Sequence, residues 1–135
     1  MKPKTIVISL PVASVDKSLE FYKTVLGMEI SSVEDKIITI ELPNLSLFLI
    51  ERNEFEAYSS VANIKALQSS NQSELIISCA FQTKKEIIAV QSRLEESGVE
   101  FVEAKTNDDT NFIGYFKDVD GHLWELVWNE TTARN

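Results

Sequence analysis

The 135-residue sequence contains one cysteine and one histidine. The lone Cys79 excludes an intramolecular disulfide and a cysteine-based zinc site. It stands inside LIISCAF, a strand-like run, and a buried structural thiol is expected there. Four glycines leave little material for a phosphate-cradling loop, and neither a Walker A motif nor G-x-G-x-x-G occurs. No G-x-S-x-G stretch is present, and a Ser-His-Asp triad would have to draw on His122. Positive charge is also scarce. Thirteen Lys and Arg face 21 Asp and Glu, a formal net charge of −8. Without clustered cations to neutralise phosphates, neither nucleic acid nor an anionic membrane surface is an expected partner. No apolar run approaches the roughly 18 residues of a membrane span. The apolar stretch Ile6 to Leu10 is too short for a signal-peptide core and no cleavage signature follows, so a cytoplasmic location is expected.

What is present reads as one soluble domain with a real hydrophobic core. TIVISLPV (5–12) is rich in β-branched residues and predicts a strand. SVDKSLEFYKTVLG (14–27) predicts a helix, with Ser14 as N-cap, Val15, Leu19, Tyr22 and Leu26 on one face, and Gly27 as its stop. MEISSVE, KIITIEL and LSLFLIE predict three further strands. The order then repeats. ELIISCAFQ (74–82) predicts a strand and TKKEIIAVQSRLEESG (83–98) a helix, opened by a Thr83/Glu86 capping box and closed by Gly98. VEFVEA, NFIGYFKD and HLWELVW follow as strands. Each half is β-α-β-β-β, and GMEI after the first helix answers GVEF after the second.

The fold class expected is therefore α+β. Paired βαβββ modules form a curved mixed sheet around a cleft, with the helices on the convex face. Module one covers about 4–51, a linker about 52–73, and module two about 74–129. The linker is polar and rich in Ser and Asn, with one short helix expected near Ile64–Leu67. The tail 130–135 lacks a core pattern and is expected to be disordered.

The densest stretch is DVDGHLWELVWN (118–129). Read as an EF-hand beginning at Phe116, it would need side-chain oxygens at Phe116 and Val127, which neither residue has, so that reading is rejected. Asp118, Asp120 and Gly121 instead suit the hairpin turn before the last strand. His122 and Glu125 have H-x-x-E spacing. On a strand, residues three apart point to opposite faces, about 10 Å apart along the chain, and cannot hold one ion. Glu125 shares its face with Leu123 and Val127, while Trp124, Leu126 and Trp128 share the other. A carboxylate among aliphatics is costly to bury without a partner. Either that face is wetted or Glu125 is paired.

LPVASVDKSLEFYKTVLGMEI and DVDGHLWELVW together resemble the vicinal oxygen chelate superfamily, the glyoxalase, bleomycin-resistance and extradiol dioxygenase group, over about residues 4–129. The resemblance implies a metal site in many members, with ligands on the first and fourth strands of each module. Those positions fall on Glu125, near Val7, near Leu49 (with Glu51 two residues on) and near Ser78. Only Glu125 is a good ligand, and metal sites generally need three or four. The expectation is a metal-free protein without a cofactor, binding a small organic molecule in its cleft through Val7, Ser9, Leu49, Ser78 and Glu125. The alternative is a metal-dependent lyase, isomerase or dioxygenase of the glyoxalase kind, in which Glu125 is the catalytic residue, serving as ligand and proton-transfer group. A homodimer is implied by the same resemblance.

Overall fold

Strand-forming runs alternate with two amphipathic helical segments, and each helix closes its own sheet. A computed structural model describes residues 1–65 and 74–134. The chain divides into two compact units, Met1–Ser69 and Ser70–Asn135. Among the described residues no helix is long and apolar enough to cross a membrane.

The first unit runs β1 (Val7–Val12), α1 (Val15–Leu19), a π-helical turn (Glu20–Val25), β2 (Ser32–Val33), β3 (Ile37–Leu42), β4 (Leu45–Glu51) and α2 (Arg52–Val61). Its sheet has the order β1-β4-β3-β2. The β1–β4 pair is parallel and the other two pairs are antiparallel. LSLFLIE is central because both its edges are paired, with β1 on one side and β3 on the other. Leu47 and Leu49 join Leu10, Val12, Ile38 and Ile40 in the core, on the face where α1 packs against β3 and β4. Leu49 is fully buried there, which corrects its expected place in a ligand cleft.

Helix α1 starts as the sequence predicts, with the Ser14 hydroxyl accepting from the Lys17 amide at 3.3 Å. It does not stay α-helical to residue 27. From Glu20 it widens into a π-turn, where the Leu26 amide donates to the Phe21 carbonyl at 3.0 Å, five residues back. Such a turn rotates successive residues by less than an α-turn does. The neighbours Phe21 and Tyr22 are thereby both buried, edge to face with centroids 5.4 Å apart. Gly27 ends the helix at φ 69°.

The second unit runs β5 (Ile76–Ala80), α3 (Lys84–Glu96), β6 (Val102–Glu103), β7 (Asn111–Lys117), β8 (Leu123–Asn129) and α4 (Glu130–Arg134). Its order, β5-β8-β7-β6, repeats that of the first. The capping box forms as read: Glu86 donates its amide to Thr83 Oγ1 at 3.3 Å and returns Oε2 to the Thr83 amide at 3.0 Å. Ile87 and Leu94 of α3 are buried, as are Phe112, Phe116, Trp124 and Leu126 of the sheet. The rings of Phe116 and Trp124 stack at 6.1 Å.

Two local expectations are corrected over the described residues. Where a linker with one short helix near Ile64–Leu67 is expected, the chain forms α2 at Arg52–Val61. Ile64 is outside any helix, and Leu67 falls outside the described residues. The tail expected to be disordered forms α4. Its start is fixed by a reciprocal cap, in which Thr132 donates its amide to Asn129 Oδ1 and Asn129 donates its amide to Thr132 Oγ1, both at 2.9 Å. The sequence signal, a polar pair three residues apart, was present in Asn129 and Thr132.

Candidate functional site

The turn before β8 places the carboxylate. Asp118 is buried at 6% exposure, and its Oδ1 accepts from the amides of Asp120 and His122, each at 2.9 Å. The Gly121 amide donates to the Asp118 carbonyl at 3.1 Å, and the Asp118 amide to the His122 carbonyl at 3.0 Å. Gly121 takes φ 88°, which a side chain would resist. His122 is half-buried in this turn. Its amide belongs to the Asp118 cap and it precedes β8, which begins at Leu123.

From that turn β8 alternates. Trp124 and Leu126 enter the core, and Glu125 faces the other way between half-buried Leu123 and Val127. Register puts Ser78 of β5 on one side of Glu125 and Tyr115 of β7 on the other. Ser78 donates its hydroxyl to Glu125 Oε1 at 2.8 Å. Tyr115 donates its phenol to Oε2 at 2.5 Å, a short contact of the kind ionised acceptors make. Each carboxylate oxygen thus has one protein donor. Both states left open by the sequence are found together, since Glu125 is paired and its bond to Ser78 is solvent-exposed. Tyr115 was missed because its partnership depends on cross-strand register.

The hydrogen bond to Glu125 is the main reason the Tyr115 phenol is pushed above its ordinary value of 10.0, followed by burial and the carboxylate's charge. The folded chain therefore holds this proton to higher pH than the unfolded chain. The resulting stabilisation is complete below the unfolded value and is lost as pH rises through the folded one. Glu125→Gln is expected to lower the Tyr115 titration midpoint toward that of an ordinary tyrosine, as read by NMR of ¹³C-labelled tyrosine. An unchanged midpoint would mean the contact does not persist in solution.

The other expected site residues fall elsewhere. Val7 and Ser9 lie in the first unit, on the sheet face opposite Leu49, where they line an open groove of about 650 Å³ with Ile37, Phe48 and Ile50. Its outer wall is α2, through Phe55, Tyr58 and Ser59. Ser9 and Ser78 each stand five residues before the N-cap of the following helix, Ser14 and Thr83. Ser9 pairs with Phe48 as Ser78 pairs with Glu125. The internal repeat thus matches a phenyl ring to the carboxylate, whereas Leu49 pairs with Leu10.

The donors on this second sheet do not fit a divalent transition metal. Such ions take three or four protein ligands, and the two side chains that flank the Glu125 carboxylate are hydroxyls already donating to it. Glu51 closes β4 beside Val12 in the first unit. Among the described residues no three His, Cys, Asp or Glu side chains gather as a candidate metal site.

Residues 5–126 match the family model of the Glyoxalase/Bleomycin resistance protein/Dioxygenase superfamily. The chain belongs to this superfamily. No curated protein matches the sequence. Among solved structures, a hypothetical protein from S. aureus is 26% identical, with 95% of each chain covered and a TM-score of 0.77. A glyoxalase-related enzyme from Fulvimarina pelagi is 19% identical, over 93% of this chain and 88% of that one, with a TM-score of 0.75. The fosfomycin resistance protein FosX from Listeria monocytogenes is 21% identical over the full length of both chains, with a TM-score of 0.69. At these identities the latter two establish the fold this superfamily member adopts and leave its chemistry to its own residues.

Proposed function

We propose that this superfamily member binds a small organic molecule without a transition metal, with Glu125 as the polar anchor. The observation that carries the reading is the Ser78–Glu125–Tyr115 cluster. A carboxylate held by two hydroxyls on an otherwise aliphatic strand face is oriented before any ligand arrives. Its remaining lone pairs suit a hydrogen-bond donor or a cation. Apolar walls with few fixed polar groups are the usual make-up of small-molecule sites. A metal-dependent lyase or dioxygenase would need further ligands beside Glu125, and the hydroxyls of Ser78 and Tyr115 that flank it donate to it instead.

The test is a thermal-shift screen of primary amines, guanidines and neutral amides, with metal content measured on protein purified without chelators. At least one donor-bearing compound is expected to raise Tm, because a ligand that binds only the folded state stabilises it. Glu125→Gln is expected to weaken that compound about tenfold, equivalent to about 1.4 kcal/mol. Equal binding by the Gln variant would remove Glu125 from the site. Stoichiometric Ni, Zn, Fe or Mn would overturn the metal-free reading.

A further inference from the structure

The groove of the first unit has features the Glu125 site does not explain. Helix α2 is ten residues long and buries none of them. A helix that short has little stability of its own and depends on the face it packs. Yet α2 packs against β1 and β4 with a concavity of about 650 Å³ between helix and sheet. Aromatic and aliphatic surface borders that space without filling it. Tyr58 is 58% exposed and Val7 46% exposed, and Phe55 is half-buried. The helix is held at its first turn, where Glu54 pairs with Lys36 at 3.6 Å and the Glu51 amide donates to the Lys36 carbonyl at 2.9 Å.

The lining defines what would fit. Phe48, Phe55 and Tyr58 offer three rings, and Ser9, Ser59 and the Tyr58 phenol offer hydroxyls. None of the lining side chains is charged, so an ionic group placed there would lose its hydration with no counter-charge in return. The volume falls in the range of small-molecule pockets, about 300–1,000 Å³. Flat rings gain from stacking and edge contacts with such walls. We propose that this groove takes a neutral, flat aromatic molecule, with α2 as its outer wall and Phe55 and Tyr58 as its selecting residues. The proposal rests on the reading of the chain as a small-molecule binder, and it concerns a groove whose lining residues all belong to the first unit.

Two dyes with the same ring skeleton test it. N-phenyl-1-naphthylamine is neutral, and 8-anilinonaphthalene-1-sulfonate adds one sulfonate. The protein is expected to bind the neutral dye saturably, and the sulfonate at least tenfold more weakly. Phe55→Ser and Tyr58→Ser, each checked for an unchanged circular dichroism spectrum, are expected to weaken the neutral dye at least tenfold. Ser59→Lys, which barely alters the net charge, is expected to move preference toward the sulfonate. No saturable binding, equal affinity for the two dyes, or neutral-dye affinity unchanged in both Ser variants would overturn the proposal. Should either Ser variant unfold, an unmoved preference in Ser59→Lys overturns it alone. An amine ligand dependent on Glu125 with no dye binding would defeat this inference and leave the Glu125 reading intact. Dye binding governed by α2 with no amine response would do the reverse.

Discussion

Gly114→Ala is expected to destabilise the second unit by about 1–3 kcal/mol, the usual cost of overpacking. Gly114 lies in β7 between Phe112 and Phe116, on the face that forms the core. A methyl group built there would sit 2.0 Å from Phe101 Cζ and 2.3 Å from its Cε1. These distances leave no room, so the ring must swing away. The backbone conformation at Gly114 is not the constraint, since its φ is not positive. Occupied space is the constraint, and the effect should therefore depend on the ring. In a Phe101→Leu background the same Gly114→Ala change should cost less than half as much. Urea denaturation of the four proteins in the cycle gives the coupling. Equal costs in both backgrounds would show that the glycine serves backbone freedom instead.

Repeating element order, helix caps and the alternation of β8 were legible because each is local. Ser14, Thr83 with Glu86, and Gly27 fix helix ends within a few residues of chain. Glu125 could be assigned to the face opposite Trp124 and Leu126 from alternation alone. What was not legible depended on register. Leu49 and Phe48 are adjacent, and a displacement of one residue exchanges core for open face. The parallel pairing that decides between them joins β1 to β4 across the whole of α1 and a hairpin. Tyr115 was within reach. The β7–β8 ladder is symmetric about Asp120, which sets Lys117 opposite Leu123 and hence Tyr115 opposite Glu125. Helix α2 was hidden by its composition. Its apolar residues are few: only Phe55, Tyr58 and Val61 carry the helical spacing, and the chain fully buries none of them.

Asp118→Ala is expected to cost about 2–4 kcal/mol, because two amides lose a carboxylate acceptor at once, each bond to a charged group is worth about 1.5–3 kcal/mol, and water entering the emptied turn offsets part of the loss. Asp118→Asn keeps one acceptor oxygen and should cost about 1 kcal/mol, the worth of a neutral bond. Denaturation midpoints with an unchanged denaturant slope would establish the ranking. Faster hydrogen exchange at the Asp120 and His122 amides would locate it. The larger consequence is for the site. The Asp118 cap closes the loop whose length sets the β7–β8 register, and a slip of one residue would turn Glu125 toward the core and Trp124 outward. If the cap holds that register, Asp118→Ala should also lower the titration midpoint of Tyr115, although Asp118 lies outside the ladder that pairs Tyr115 with Glu125. A stability loss of the expected size with Tyr115 unmoved would mean that strand pairing alone holds the register, and the turn would then contribute to folding without positioning the carboxylate.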